Sequence, residues 1–215
     1  MRALHAAATL LLIIGLPSGR AAAQDPAQQE FIVRKGKDTV AVERFTRDAA
    51  TLSGQLSQAN GVKLEYVANL RSDHSVEHIE MSRQGLQGPA MTLSIDFGDT
   101  LISAAFEAQG KKQQMSIPTQ VRTIPFLVNS FAILEQIALA SHPAEGQKVK
   151  WIAARLGAGD TASISVSRGL ADTIVVSAPN GDVKLAMSQA GDVVGGWFAP
   201  QQWLVERRTT TKAAP

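Results

Sequence analysis

Between Phe31 and Met187 the chain returns repeatedly to one pattern, an apolar residue at every second position. That period places successive side chains on opposite faces and restricts such segments to half-buried β-strands. Val62, Leu64, Tyr66, Ala68 and Leu70 interleave with Lys63, Glu65 and Asn69, and Met91, Leu93, Ile95 and Phe97 interleave with Thr92, Ser94 and Asp96. Shorter copies occur at Phe31–Val33, Val40–Val42, Ile102–Phe106, Val149–Trp151, Ile164–Val166, Ile174–Val176 and Val183–Met187. The punctuation agrees. Asn60-Gly61 and Asn180-Gly181 predict two-residue hairpin turns whose central residues both take positive φ. Asp38, Asp99, Asp160, Asp172, Asp182 and Asp192 each stand where a strand opens, and a lone Asp there bonds nearby backbone, which is turn chemistry and not catalysis.

One segment breaks the alternation. Residues 124–140 (IPFLVNSFAILEQIALA) predict a helix, with Thr123 as N-cap, Pro125 in the first turn, and a stop at Ser141-His142-Pro143. Its apolar arc is far wider than that of a surface helix, and Asn129, Ser130, Glu135 and Gln136 form only a narrow polar strip. Such a helix needs burial nearly all round. A long antiparallel sheet with a bare apolar face aggregates unless it curls or is covered. The expected fold is therefore mainly β (α+β): a single large curved antiparallel sheet or open barrel of about 11–14 strands, with this helix against its concave face.

Residues Met1–Ala23 carry the marks of a secretory signal peptide: Arg2, an apolar run over Ala6–Leu16, a break at Pro17-Ser18-Gly19 and small residues at Ala21–Ala23. The apolar run is about half of what a membrane span needs. Residues 24–215 then form a single β-rich domain whose last residues, from Thr209, fray. Removing Arg2 and Arg20 leaves 21 − 2 = 19 basic residues against 19 acidic, so the mature chain is formally neutral. That balance gives no field for nucleic acid. The chain has no Cys, which excludes disulfides, thiolate catalysis and a lipid-modified N-terminal Cys. The expected location is secreted or periplasmic.

Chemistry-bearing residues are sparse. His74 and His78 stand four apart, a metal-binding spacing on a helix. The flanking alternation reads as a strand, where residues four apart on one face lie about 13 Å apart, so no metal or cofactor is expected. Ser130 and His142 offer a serine and an imidazole without a nucleophile-elbow motif, and Ser130 reads as a backbone-bonding residue inside the helix. His142 reads as a C-terminal cap. Gly157 and Gly159 precede an alternating stretch, not a helix, and so read as a hairpin loop and not a phosphate loop. Lys111-Lys112 and Arg207-Arg208 read as a solvated turn and a solvated tail. Trp197 and Trp203 are candidates for a surface aromatic platform. The candidate lining of an apolar cavity is Phe126, Phe131, Leu134, Ile137, Tyr66 and Phe97.

The segment Thr123–Gln136 and the C-terminal Gly-Gly-x-x-Ala-Pro-Gln-x-x-x-Val-Glu-Arg of Gly195–Arg207 are similar to pieces of uncharacterised secreted bacterial β proteins. Those proteins in turn loosely resemble the LolA/LolB-like lipoprotein carriers. The resemblance implies a curved sheet plus helix and supplies no catalytic residue.

Three readings of function follow. The first is an exported non-enzymatic protein enclosing an apolar ligand, a lipid or acyl chain, between sheet and helix. The second is a structural or accessory envelope module that meets a protein partner through its surface. The third is a hydrolase of unrecognised type. None of them calls for a membrane-spanning segment.

Overall fold

The computed structural model describes residues 27–85, 90–156 and 158–209. The leader at Met1–Ala23, Gly157 and residues 210–215 of the tail lie outside the described residues. Fifteen strands and one helix follow in chain order: β1 (Gln29–Lys35), β2 (Asp38–Arg47), β3 (Thr51–Gln58), β4 (Lys63–Leu70), β5 (Val76–Gln84), β6 (Met91–Phe97), β7 (Leu101–Ala108), β8 (Lys111–Pro118), β9 (Thr123–Phe126), α1 (Phe131–Ser141), β10 (Lys148–Arg155), β11 (Asp160–Arg168), β12 (Thr173–Ala178), β13 (Gly181–Met187), β14 (Val193–Phe198) and β15 (Trp203–Thr209).

All fifteen strands belong to one sheet, ordered β8-β7-β6-β5-β4-β3-β2-β1-β15-β14-β13-β12-β11-β10-β9. Two sequential meanders, one from each half of the chain, join where β1 pairs antiparallel with β15. Every pairing is antiparallel except β9 with β10, which is parallel. Parallel neighbours cannot be joined by a hairpin, and α1 is the crossover between them. The expected large curved antiparallel sheet with a single helix is what the chain forms, with strands slightly beyond the expected number.

The helix begins later than the sequence suggested. Thr123, Ile124, Pro125 and Phe126 form β9, all of them buried, and the N-cap is Ser130, whose Oγ accepts from the Ile133 N–H. Pro125 lacks an amide hydrogen and suits an edge strand as well as a first helical turn. Ser130 supplies the capping oxygen that the buried first turn requires. At the other end His142 is the C-cap, left-handed at φ 36°, with its N–H bonded to the Ala138 carbonyl. Nine residues of α1 are buried, including Glu135 and Gln136, so the sheet surrounds the helix on nearly every side.

The hairpins also differ in detail. In both Asn-Gly turns only the glycine takes positive φ, Gly61 at 83° and Gly181 at 116°. The Gly61 N–H bonds back to the Gln58 carbonyl, so the tight turn spans Ala59-Asn60 and the glycine follows it. This is the longer hairpin, a tight turn followed by one left-handed residue.

Register explains the core. Phe45, Gly54, Tyr66, Met81, Leu93, Phe106 and Gln113 lie directly opposite one another across β2–β8 and therefore share a face. That face receives α1. Phe31 stacks on Phe45 at 5.2 Å between ring centres, and Phe131 tilts against Phe31 at 6.1 Å. Gly196 lets the helix approach, since a Cβ there would lie 2.9 Å from the Lys184 carbonyl oxygen and 3.2 Å from the Phe131 ring.

Candidate functional site

Two buried polar clusters fix α1 to the sheet. Glu43 of β2 is fully buried, and its Oε1 accepts from Tyr66 Oη–H at 2.8 Å and from Ser130 Oγ–H at 2.5 Å. Its Oε2 accepts the Ala132 N–H at 3.0 Å. A carboxylate on a strand thus completes the cap of a helix far away in sequence, where the helix dipole favours negative charge. Burial nevertheless pushes the Glu43 carboxyl above its ordinary value, outweighing the bonds from Ser130, Ala132 and Tyr66. Burial, then the Glu43 charge, pushes the Tyr66 hydroxyl well up.

The second cluster centres on Glu135 of α1, also fully buried. Its Oε1 accepts from the Val193 N–H at 2.7 Å and from Arg207 Nη1 at 2.6 Å. Its Oε2 lies 2.9 Å from Arg47 Nη1, a contact of charges without hydrogen-bond alignment. Arg47 Nη2 donates to Asp192 Oδ1 at 2.9 Å. Arg207 also lies 5.5 Å over the rings of both Phe31 and Phe45. Two cations and two carboxylates balance, so the burial of charge is compensated within the cluster. Arg207 is therefore an anchor and not part of a solvated tail, and Asp192 has a long-range partner beyond its turn.

The apolar candidates occupy this packed region. Phe126, Phe131, Leu134, Ile137, Tyr66 and Phe97 are all buried in one continuous core, at most 4% exposed. Trp197 and Trp203 do not come together. Trp203 is opposite Phe198, shares its inward face and meets its ring edge-on at 5.7 Å. Trp197 is opposite Leu204 on the other face, 39% exposed.

Ser130 Oγ–H points to Glu43 and is buried. His78 is on β5, its Nδ1 2.7 Å from Asp96 Oδ1. His74 lies in the turn before β5, and its ring neighbour is His142, 6.1 Å away between centres, not His78. Among the described residues no group of three or more His, Asp or Glu is placed to hold a metal ion.

A concavity of about 900 Å³ lies along β2–β8, on the face turned away from α1. Its lining follows the register in three consecutive rows. Arg44, Gln55, Glu65, Ser82, Thr92, Glu107 and Lys112 form one wall, and Thr46, Ser53, Val67, Glu80, Ser94, Ala105 and Gln114 form the other. The row between them, Phe45 to Gln113, alternates to the opposite face, with Phe45, Tyr66 and Met81 buried in the core, and presents backbone as the floor. Seven strands at the usual spacing make this groove about 29 Å long, so its mean cross-section is about 30 Å². Hydroxyls, amides and charges of both signs line it. In the sequence Glu65, Thr92 and Ser94 are legible only as the polar side of their own strands, because rows across strands appear only once register is known.

No family model matches the chain, and no curated protein matches it. Among solved structures it is similar to a DUF1089 family protein from Pseudomonas aeruginosa, at 13% identity, covering 74% of this chain and 89% of that one, with a TM-score of 0.54. It is also similar to a β-barrel-like protein of the domain of unknown function DUF1849 from Brucella abortus, at 6% identity, covering 87% of this chain and 96% of that one, with a TM-score of 0.48. The first likeness shows a shared fold with a protein of an uncharacterised family, and a likeness to the LolA/LolB-like carriers is not shown. No helix among the described residues is long and apolar enough to cross a membrane.

Proposed function

We propose that this protein is an exported, non-catalytic binding module that takes an extended segment of a partner polypeptide into the groove across β2–β8. The observation that carries the reading is the shape of that groove: long, narrow, and walled by two parallel rows of side chains that, except for Val67 and Ala105, can form hydrogen bonds. A cross-section of about 30 Å² suits one extended chain, and a length of about 29 Å suits eight or nine residues of it. The walls offer no aromatic ring for stacking on a sugar, whereas Ser53, Ser82, Thr92, Ser94, Gln55 and Gln114 suit peptide N–H and C=O groups. Export rests on the leader at Met1–Ala23.

The apolar-ligand reading, and with it the resemblance to lipoprotein carriers, would require α1 to leave its place. Its side chains pack into the continuous core, and Glu43 and Glu135 tie its N-terminal half to the sheet. Panning a displayed library of random peptides against the 24–215 chain tests the choice, with Ser53→Trp/Ser94→Trp as the blocked control. Peptides that bind the native protein and fail on the blocked variant are expected. Peptides that bind both equally, or none at all, overturn the reading. A lipid released from the native protein on denaturation, detected by mass spectrometry, would favour the apolar ligand instead.

A further inference from the structure

We infer that His74 and His142 together form a binding site for a divalent late transition-metal ion, with Cu(II) the strongest occupant. The two residues are 68 positions apart in sequence (142 − 74) and are brought together where α1 ends beside the turn preceding β5. Their ring centres are 6.1 Å apart with the planes at 53°. An ion bound to one nitrogen of each ring lies about 3.2 Å from either ring centre, given a metal–nitrogen bond of about 2.1 Å. Two such rings have centres about 4.5 Å apart at the right angle of a square-planar ion and about 6.4 Å apart when opposed across it, from the same bond length. The observed separation falls between these limits. Both side chains are exposed, so they are free to turn and water can fill the remaining coordination positions.

Three further features mark the place. Both histidines hold left-handed backbone, His74 at φ 64° and His142 at φ 36°, a conformation that costs a non-glycine residue about 1–2 kcal/mol. Non-glycine residues in this conformation cluster where ligands are held, and here two of them bring their rings together. Second, His142 caps the carboxyl end of α1, whose last turn carries no basic residue. The partial negative charge of that end attracts a cation. Third, Gln136, 2% exposed, fixes the loop by donating from Nε2 to the His74 carbonyl at 2.6 Å. Its Oε1, on the same amide, is buried without a hydrogen-bond partner. Asp73, though adjacent, is not a ligand: its Oδ1 accepts from Ser75 and its Oδ2 from Arg122.

Imidazole nitrogen suits Zn(II), Ni(II) and Cu(II), and Cu(II) heads the affinity order of the first-row divalent ions. The test uses the full mature chain without a histidine tag, titrated with CuCl2 and followed by calorimetry and electron paramagnetic resonance. His74→Asn and His142→Asn are the variants, because asparagine accepts left-handed backbone and should keep the fold, which circular dichroism checks. His78→Asn is the control. One Cu(II) with the hyperfine pattern of two imidazole nitrogens is expected. Either variant should reduce affinity by more than the about 10–100-fold that follows loss of an outer-shell partner, and the control should not change it. Absence of binding overturns the inference. So does binding that survives His74→Asn, or that disappears with His78→Asn. If His142→Asn does not fold, His74→Asn decides the question alone.

Discussion

Replacing Glu43 by Gln should change how stability depends on pH more than it changes stability at any one pH. Burial raises the Glu43 carboxyl above its ordinary value of 4.5 in the folded chain, while the unfolded chain keeps the ordinary value. Between those two values the folded chain holds the proton more often. Stability from this group is therefore full below about pH 4.5 and is lost as pH rises through the raised folded value, at up to about 1.4 kcal/mol per pH unit. In Glu43→Gln the amide oxygen can accept the fixed Ala132 N–H, and the amide nitrogen can face Tyr66 Oη and Ser130 Oγ, hydroxyls that are free to turn. The substitution should cost about 1 kcal/mol at low pH, the net value of one hydrogen bond. Urea unfolding of both proteins from pH 4.5 to 8 gives the difference directly. The lowered carboxyls of Asp48, Asp73 and Asp160 are common to both chains and cancel. The native protein should lose its advantage as pH rises and become the less stable of the two. A difference that is flat, or that grows with pH, refutes the reasoning, since it would mean that the hydrogen bonds outweigh burial.

Other substitutions follow from the same two clusters and from one strained turn. Ser130→Ala removes both the cap on Ile133 and a donor to Glu43, and should cost about 1–2 kcal/mol by urea unfolding with an unchanged m-value. Arg207→Met leaves Glu135 buried with Arg47 as its remaining cation, and should cost about 3–5 kcal/mol, read as a large drop in Tm. Ala171, left-handed at φ 47° beside Asp172 at φ 50°, is strained in an exposed turn. Ala171→Gly should raise stability by about 0.5–1 kcal/mol in the same assay.

Strands with one apolar face were legible in the sequence, and Met91–Phe97 matches β6 residue for residue. β8 was not, because Lys111–Pro118 is an edge strand exposed almost throughout and has no apolar face to alternate. β3 was missed for a related reason: Gly54 occupies the inward position between Leu52 and Leu56, where the Tyr66 ring fills the space a side chain would take. The burial of α1 was legible from its composition, while its start was hidden because Ile124–Phe126 is equally apolar in a strand. Ser130 shifted from a residue within the helix to its cap. The long-range polar contacts were invisible. Glu43 reads as the polar member of Val42-Glu43-Arg44, and only the register turns it toward the core. His74 was weighed against the wrong histidine for the same reason, since its partner is set by how the helix and the β4–β5 turn meet.

The sheet order gives the molecule a second natural pair of ends. β8 and β9 are consecutive in the chain yet stand at opposite edges of the sheet, while β1 and β15 pair at its centre, with Gln29 directly opposite Thr209. A chain rewired to run from Thr123 to Thr209, through a short turn to Gln29 and on to Pro118 would have every neighbouring pair of strands adjacent in sequence. In the natural order the β1–β15 ladder forms only after β15 emerges from the ribosome. Until then the chain holds two half-sheets, each with an open central edge. The circular permutant would close the same sheet by local steps alone, and a comparison of the two refolding rates would measure how much the joining of the halves slows the natural chain.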